Sequence, residues 1–146
     1  MTFSIATKKD LKKIQNLLKI NDLCYSDIGE QPTKDFIVVK SNSDQIIGCI
    51  GLEKYGSEGL LRSLAVRVEF RMKGYGKQLC HQLLSYATKN GVKTLHLLTM
   101  TAEKYFEKMG FKRRGRNEAP EIIQKTTEFS VLCPISSTYM VLETIL

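Results

Sequence analysis

The sequence predicts an α/β fold, a mixed, mostly antiparallel sheet of six to seven strands flanked by about four helices. Short apolar segments with strand character recur along the chain and are separated by turn residues. Two of them, residues 60–66 and 93–99, are joined by a helical segment, residues 77–90, and such a crossover makes neighbouring strands parallel. The 146 residues and the apolar content of 42% suit one domain, residues 1–146.

The N-terminal part predicts a strand, a helix and a loop. Residues 3–6 form a short strand, and Thr7 begins a helix because Asp10, three residues later, completes an approximate capping box. The apolar face of that helix consists of Leu11, Ile14, Leu17 and Leu18. Residues 21–34 have mixed polarity and contain glycine and proline, so we expect a loop or a short helix there.

Three strands are predicted next. Residues 35–40 and 45–52 are apolar and are joined by a polar turn at residues 41–44. A glycine-containing turn at residues 55–59 leads into the strand at residues 60–66. The remaining elements are a central helix, a strand, a second helix, a short helix or lid and a final strand, at residues 77–90, 93–99, 101–109, 119–128 and 138–145.

The turn between the third of these strands and the central helix has the composition of an anion site. Its residues are Arg71, Met72, Lys73, Gly74, Tyr75, Gly76 and Lys77. The first turn of a helix has unpaired N–H groups and the positive end of the helix dipole, and glycine lets a phosphate approach them closely. Three basic side chains add positive charge, so the turn predicts a diphosphate site.

The spacing of the glycines excludes two common nucleotide motifs. The dinucleotide fingerprint needs a third glycine where Leu79 stands, and the Walker loop needs Ser or Thr where Gln78 stands. The pattern that remains is R-x-x-G-x-G. Taken alone, this hexapeptide could also be a glycine-rich turn that binds nothing.

Other parts of the chain favour a ligand. The R-x-x-G-x-G run resembles the acetyl-coenzyme A loop of the GNAT (GCN5-related) N-acetyltransferases, and Leu64-Ala65-Val66 resembles the "LAV" end of the strand before it. Residues 102–111, A-E-K-Y-F-E-K-M-G-F, resemble the later helix of that family, A-x-x-L-Y-x-K-x-G-F. The resemblance extends from Phe3 to the C-terminus, and its blocks occur in the expected order.

The resemblance implies the acyl-coenzyme A N-acyltransferase fold, with acetyl-coenzyme A as the donor. In this superfamily the strand before the loop and the strand after the central helix splay apart, and the pantetheine arm enters the gap. Leu64, Ala65 and Val66 would then lie along the arm, and residues 71–77 around the diphosphate. Arg67 would contribute a further positive charge toward the phosphates.

Two positions depart from the family pattern. The family places Asn where this chain has Thr99, and a Tyr that acts as general acid where this chain has Phe106, and we expect both residues to contact the cofactor. Phe106 has no proton to donate. Tyr105 is adjacent and could replace that acid, although it could equally be a packing residue, and water could protonate the thiolate.

The acceptor side is expected near the strand at residues 60–66. Glu53 is the candidate base, with an exposed strand-end carboxylate as the alternative. Arg62 interrupts an apolar strand, so it either pairs with Glu53 or clamps a carboxylate of the acceptor. Ser63 and Cys133 are further candidates for contact with the substrate.

These residues predict an N-acetyltransferase that acts on the amine of a small molecule. A narrower resemblance, carried by segments such as residues 59–66 and 98–103, is to the arsenic-resistance N-acetyltransferases, so the acceptor could be an amino-acid-like or arsenic-bearing toxin. The alternatives are a protein or peptide acetyltransferase and a non-enzymatic acyl-coenzyme A sensor.

Composition limits the other partners. The first residues have no signal-peptide pattern and no apolar run could span a membrane, so we expect a cytoplasmic protein; a homodimer stays open. The net charge of +7 suits a polyanionic cofactor, and little besides that charge points to nucleic acid. The basic run at residues 112–116 is either a second basic patch or a solvated strand edge. The cysteines and histidines lack metal-ligand spacing, so no metal is expected.

Overall fold

A computed structural model describes residues 1–23, 25–26, 28, 34–132 and 136–143. Within these ranges the chain forms seven strands, which are β1 (Thr2–Ile5), β2 (Lys34–Lys40), β3 (Ile46–Tyr55), β4 (Glu58–Val66), β5 (Thr94–Thr99), β6 (Lys112–Arg114) and β7 (Thr138–Glu143). The α-helices of the same ranges are α1 (Leu11–Ile20), α2 (Tyr75–Lys89), α3 (Glu103–Lys108) and α4 (Glu121–Gln124). A π-helical segment, Glu128–Leu132, follows α4.

The strands form one mixed sheet in the order β1-β2-β3-β4-β5-β7-β6. Every neighbouring pair is antiparallel except β4 with β5, which is parallel because α2 carries the chain back across the sheet between them. The predicted fold class is therefore confirmed. The basic run at residues 112–116 contributes β6, the exposed outer strand of the sheet, as the strand-edge interpretation predicts.

Helices cover both faces of the sheet. Ile37 packs with the buried residues of α2, whereas its neighbour Val38 packs with those of α1, and successive strand residues point to opposite faces. In the same way, Leu61 packs with the buried residues of α2, whereas Leu60 packs with Ile123 of α4 on the other face. Two helices thus cover the ends of one face, and α2 covers the centre of the other.

The predicted start of α1 is confirmed in detail. The backbone N–H of Thr7 donates to the Asp10 carboxylate at 2.9 Å, which closes the capping box around one turn of 3-10 helix before α1 begins at Leu11. Ile14, Leu17 and Leu18 are buried, as the apolar face predicts.

Several element boundaries differ from the predictions. Strand β3 continues to Tyr55, three residues past the predicted end, because polar side chains in this stretch find partners on the sheet. The predicted helix or lid at residues 119–128 is a single turn, α4, followed by the π-helical segment. Residues 144–145 of the predicted last strand lie outside the described residues.

Candidate active site in the cleft between β4 and β5

Strands β4 and β5 are paired only at their beginnings. Their parallel register joins three residue pairs, the last of which is Leu60 with His96. Beyond that point the strands separate, and a cleft of about 620 Å³ lies between them. Its walls also include the segments near residues 21–23, 99–102, 128 and 137. The splayed pair of strands expected from the sequence is therefore present.

A buried hydrogen-bond network fixes the place where the strands part. The His96 ring lies 2.6 Å from the Glu58 carboxylate through Nε2 and 2.6 Å from the Tyr139 hydroxyl through Nδ1. This links β4, β5 and β7 across the closed end of the cleft. Burial raises the pKa of Tyr139 to about 12, so its phenol keeps its proton over the physiological range.

A β-bulge interrupts β4 where it borders the cleft. Cys49 faces Ala65 and Gly51 faces Arg62, so Ser63 and Leu64 together oppose a single residue of β3. Ser63 adopts a left-handed conformation with φ of 59°, and the Cys49 thiol donates to its carbonyl at 3.4 Å. Because a bulge leaves backbone groups outside the ladder, these groups become available to a molecule in the cleft.

The glycine-rich turn forms the expected cradle at the N-terminus of α2. Gly74 is the N-cap with φ of 86°, a conformation that favours glycine. The first backbone bond of the helix runs from Gln78 N–H to Gly74 C=O at 3.0 Å, so the N–H groups of residues 75–77 have no partner within the helix. A Cβ on Gly76 would lie 3.2 Å from the Tyr105 hydroxyl oxygen, so a side chain there would require that hydroxyl to shift.

The basic side chains of the turn have different surroundings. Arg71 donates from Nε to the Val66 carbonyl at 3.1 Å and from Nη2 to the Asn21 side chain, so it links the turn to the end of α1. The ammonium group of Lys73 lies 5.5 Å from the centre of the Phe70 ring. Lys77 is exposed. All of this charge is at the open surface of the cradle.

Arg67, which also carries positive charge near the turn, is held by the sheet. Its Nε donates to the Ile46 carbonyl at 2.8 Å, which joins the end of β4 to the start of β3. The side chain is half-buried. This bond fixes the backbone that enters the cradle.

A buried ion pair lies beside the bulge. Arg62 Nη1 is 2.7 Å from Glu53 Oε2, and these residues are 2% and 1% exposed. Glu53 Oε1 accepts a hydrogen bond from the Tyr55 hydroxyl, and Arg62 Nε donates to Ser63 Oγ at 2.9 Å. The alternative of an exposed strand-end carboxylate at Glu53 is wrong, since β3 continues past it and buries it.

The two partners of this pair differ in their access to the cleft. Arg62 and Ser63 line it, whereas the lining does not include Glu53. Pairing of Arg62 with Glu53 is therefore present, and the same guanidinium still borders the space that an acceptor would enter. The role of Glu53 as a base stays a prediction. Cys133 lies outside the described residues.

Comparison with known proteins identifies the family. A sequence model of the acetyltransferase (GNAT) domain matches residues 32–113, more than half of the chain. The chain belongs to the GNAT acetyltransferase family. An uncharacterized N-acetyltransferase of Chlorobaculum tepidum is 33% identical over 91 residues, which is 62% of this chain and 57% of that protein.

Solved structures share the GNAT fold. N-acetylglutamate synthase from Neisseria gonorrhoeae, complexed with coenzyme A and N-acetyl-glutamate, matches 100% of this chain and 36% of its own with a TM-score of 0.81 and 21% identity. Tetrahymena GCN5 matches 99% of this chain and 97% of its own with a TM-score of 0.78 and 20% identity. The chain thus spans 57% of the Chlorobaculum relative and 36% of the Neisseria synthase.

The two positions that depart from the GNAT pattern both border the cleft. Phe106 is buried, lines the cleft and packs on Phe111. Thr99 also lines it, and its hydroxyl accepts the Ala102 N–H at 3.0 Å, which holds the start of α3. The ring at position 106 thus supplies apolar surface where the family supplies a hydroxyl.

Tyr105 contacts the Phe106 ring edge to face, with the ring centres 5.4 Å apart, and its hydroxyl reaches α2. Its hydroxyl interacts with the buried Cys80 thiol, and burial raises the pKa of Tyr105 to about 12. Burial likewise raises the pKa of Cys80 to about 12, so this cysteine is an inert packing group, as is Cys49. The lining of the cleft does not include Tyr105.

Two polar residues of the cleft were missed in the sequence. Glu128, at the start of the π-helical segment, is 7% exposed, and Ser137, just before β7, is 5% exposed, and both line the cleft. The available signal was weak: an acidic residue directly before the apolar run that follows α4. Nothing local relates either residue to β4, more than 60 positions earlier in the chain.

Within the described ranges, no group of three or more His, Cys, Asp and Glu side chains could hold a metal ion. No described helix has both the length and the apolar character needed to cross a bilayer.

Proposed function

We propose that this GNAT domain transfers an acetyl group from acetyl-coenzyme A to the amine of a small, amino-acid-like molecule. The observation that carries the proposal is the pairing, on one β4-to-α2 connection, of a helix N-terminus with free N–H groups and a cleft that the buried Arg62 lines. The helix N-terminus suits a diphosphate, and the cleft suits an acceptor with a carboxylate or a similar anion.

The residues of the cradle fit acetyl-coenzyme A. Gly74 keeps the helix N-terminus open to a diphosphate, and Lys73 and Lys77 can add charge–charge attraction from its open side. Leu64 lies in the bulge and Ala65 and Val66 follow it, on the part of β4 that is not paired with β5, where backbone groups are available to an amide-bearing arm. The cofactor would supply an activated acetyl thioester.

The acceptor end favours a small molecule with an anionic group. The guanidinium of Arg62 is buried and already paired with Glu53, and the planar fork of arginine can bind a second carboxylate or phosphonate. Ser63 lies beside it with its hydroxyl oriented by the same arginine. The sequence resemblance to arsenic-resistance N-acetyltransferases supports including arsenic-bearing amino acids among the acceptors to be tested.

The chemistry that these groups support is attack of a neutral amine on the thioester carbonyl. The cleft holds the two reactants together, and orientation of this kind can supply much of the rate. The bulge at Ser63 and Leu64 offers backbone donors for the oxygen that becomes negative. Because Phe106 cannot donate a proton, either Tyr105 or water protonates the departing thiolate.

One observation favours a second candidate, a non-enzymatic sensor of acyl-coenzyme A. The ring of Phe106 lines the cleft where the family has its acid, so the cleft could bind the cofactor without turning it over. The two candidates differ in one measurable property, the release of free coenzyme A that depends on an added amine.

A free-thiol assay across amino acids and their phosphono and arsono analogues tests the proposal. We expect acetyl-coenzyme A to be consumed faster with at least one amine that carries an acidic group than with the same compound lacking its amine. Binding of acetyl-coenzyme A without any amine-dependent release would contradict the proposal and support the sensor. If peptides were acetylated in preference to every small amine, the acceptor would be a protein or a peptide instead.

A further inference from the structure

We infer that Glu128 is the group that removes the proton from the ammonium of the acceptor, and that Ser137 binds the same nitrogen. The inference rests on the proposed function, and it assigns the base to the β5–β7 side of the cleft. Its starting point is that Glu128 and Ser137 are both buried and both line the space in which the acceptor would lie.

The segment that carries Glu128 is held firmly in place. Arg116 donates from Nη2 to the Phe129 carbonyl at 2.8 Å, and its guanidinium carbon lies 5.2 Å from the centre of the Phe129 ring. Thr126 accepts the Phe129 N–H at its hydroxyl and the Ser130 N–H at its carbonyl. A catalytic carboxylate needs such fixed support, because small displacements of a reacting group cost much of its effect.

Ser137 gives independent evidence for a ligand. Its hydroxyl is buried, and no group in the described part of the chain forms a hydrogen bond with it. A buried polar group without a partner is unfavourable and calls for an explanation such as a bound molecule. Ser137 directly precedes Thr138, which pairs with Thr99 at the mouth of the strand gap, so the hydroxyl lies beside the reacting end of the cleft.

Glu53 is less suited to the same role, because the lining of the cleft does not include its side chain. Its carboxylate instead accepts hydrogen bonds from Tyr55 and Arg62. Glu53 therefore positions Arg62, and the carboxylate that borders the acceptor space is Glu128.

The charges of the two walls match a zwitterion. Arg62 on the β4 side attracts an acceptor carboxylate, and Glu128 attracts an ammonium group. Glu128 takes one proton from the ammonium and returns it to solvent. The neutral amine attacks the thioester carbonyl, the C–N bond forms and the C–S bond breaks. The second proton of the amine ends on the coenzyme A thiolate, so one amide, one thiol and one free proton result.

The test is the pH dependence of kcat/KM for Glu128→Gln, measured with the best amine from the free-thiol assay. We expect a loss of roughly 10²–10⁴-fold at neutral pH, the usual contribution of a general base. The loss should shrink about tenfold per pH unit up to the pKa of the amine, because the free base then forms in solution. Glu121→Gln is the matched control, since Glu121 is exposed on α4 and paired with Lys125.

Each result bears on the inference. A Glu128→Gln loss of less than threefold, or a loss that is constant with pH, would overturn the role of Glu128 while the proposed function stood. A wild-type protein that binds acetyl-coenzyme A and acetylates no amine would overturn both. Ser137→Ala should raise KM for the amine several-fold and leave the dissociation constant of coenzyme A unchanged; equal KM values would remove Ser137 from the site.

Discussion

The cradle and the acceptor end, which is the cleft between β4 and β5, are built in different ways. The cradle at residues 71–77 offers backbone N–H groups and exposed charge, and all its parts are contiguous in sequence. The acceptor end consists of buried side chains from distant segments, among them Glu53, Arg62, Glu128 and Ser137. The difference teaches that the cradle depends on backbone conformation, whereas the acceptor end depends on side chains that stabilise one another. Substitutions in the cradle should therefore reduce cofactor binding, whereas substitutions at the acceptor end should reduce the stability of the protein.

The largest effect is expected at Gly74. Gly74→Val places a branched side chain at a positive φ beside the diphosphate N–H groups, so calorimetric titration should find no measurable binding of acetyl-coenzyme A. Gly91→Val is the matched control, because Gly91 has a similar φ of 82° and nothing within 4 Å of its would-be Cβ. Both variants should lose stability, by roughly 1–2 kcal/mol or more. If Gly91→Val also lost binding of acetyl-coenzyme A, the effect of Gly74→Val would come from a disturbed fold.

At the acceptor end, breaking the ion pair should lower the stability of the protein more than it lowers the affinity for acetyl-coenzyme A. Arg62→Met leaves the Glu53 carboxylate buried without its partner, which should cost about 3–5 kcal/mol in urea unfolding. The double variant Glu53→Met/Arg62→Met should recover much of that loss. A comparable surface control is Lys125→Met, which breaks an exposed pair and should change stability little. A single variant as stable as wild type would refute the structural role of the pair.

A smaller effect is expected from the cradle's charge. Lys73→Ala should weaken acetyl-coenzyme A binding by about 0.3–2 kcal/mol at low salt and should flatten the dependence of affinity on salt. Stability should hardly change, since Lys73 is exposed. Lys89→Ala removes the same charge from the opposite end of α2 and serves as the control. If the affinity for acetyl-coenzyme A depended on salt in the same way in both variants, the phosphates would not lie beside Lys73.

The smallest effect is expected at Tyr105. Because its hydroxyl faces Cys80 and does not line the cleft, Tyr105→Phe should change kcat by no more than a few-fold. The reciprocal Phe106→Tyr places a hydroxyl on the cleft wall and should raise kcat if protonation of the thiolate limits the rate. A fall of 10²-fold or more in Tyr105→Phe would restore this residue as the general acid.

The sequence predicted the cradle well because its requirements are local. The glycine-rich turn and the start of a helix directly after it both follow from neighbouring residues. The parallel β4–β5 pair follows from the crossover helix for a similar reason. Strand ends were less accurate: Glu53 and Tyr55 are polar in sequence, and the ion pair of Glu53 with Arg62 on β4 and the hydrogen bond from Tyr55 to Glu53 keep them within β3.

The acceptor end could not be predicted to the same degree. Arg62 was recognisable as a charge within an apolar strand, and pairing with Glu53 was one of its two interpretations. Glu128 and Ser137 carry no local pattern, since each becomes part of the cleft only after the chain has returned to the sheet. Long-range packing, which leaves no periodicity in the sequence, decides which polar residues meet there.

The most direct test is a backbone amide NMR titration of the 16.6 kDa chain with coenzyme A. We expect the amide signals of residues 74–77 and of the bulge at Ser63 and Leu64 to shift together, with one saturation curve. Subsequent addition of an acetylated amine should shift Glu128 and Ser137 and leave residues 74–77 in place. Shifts confined to the basic edge strand β6, with none at Gly74, would contradict the account.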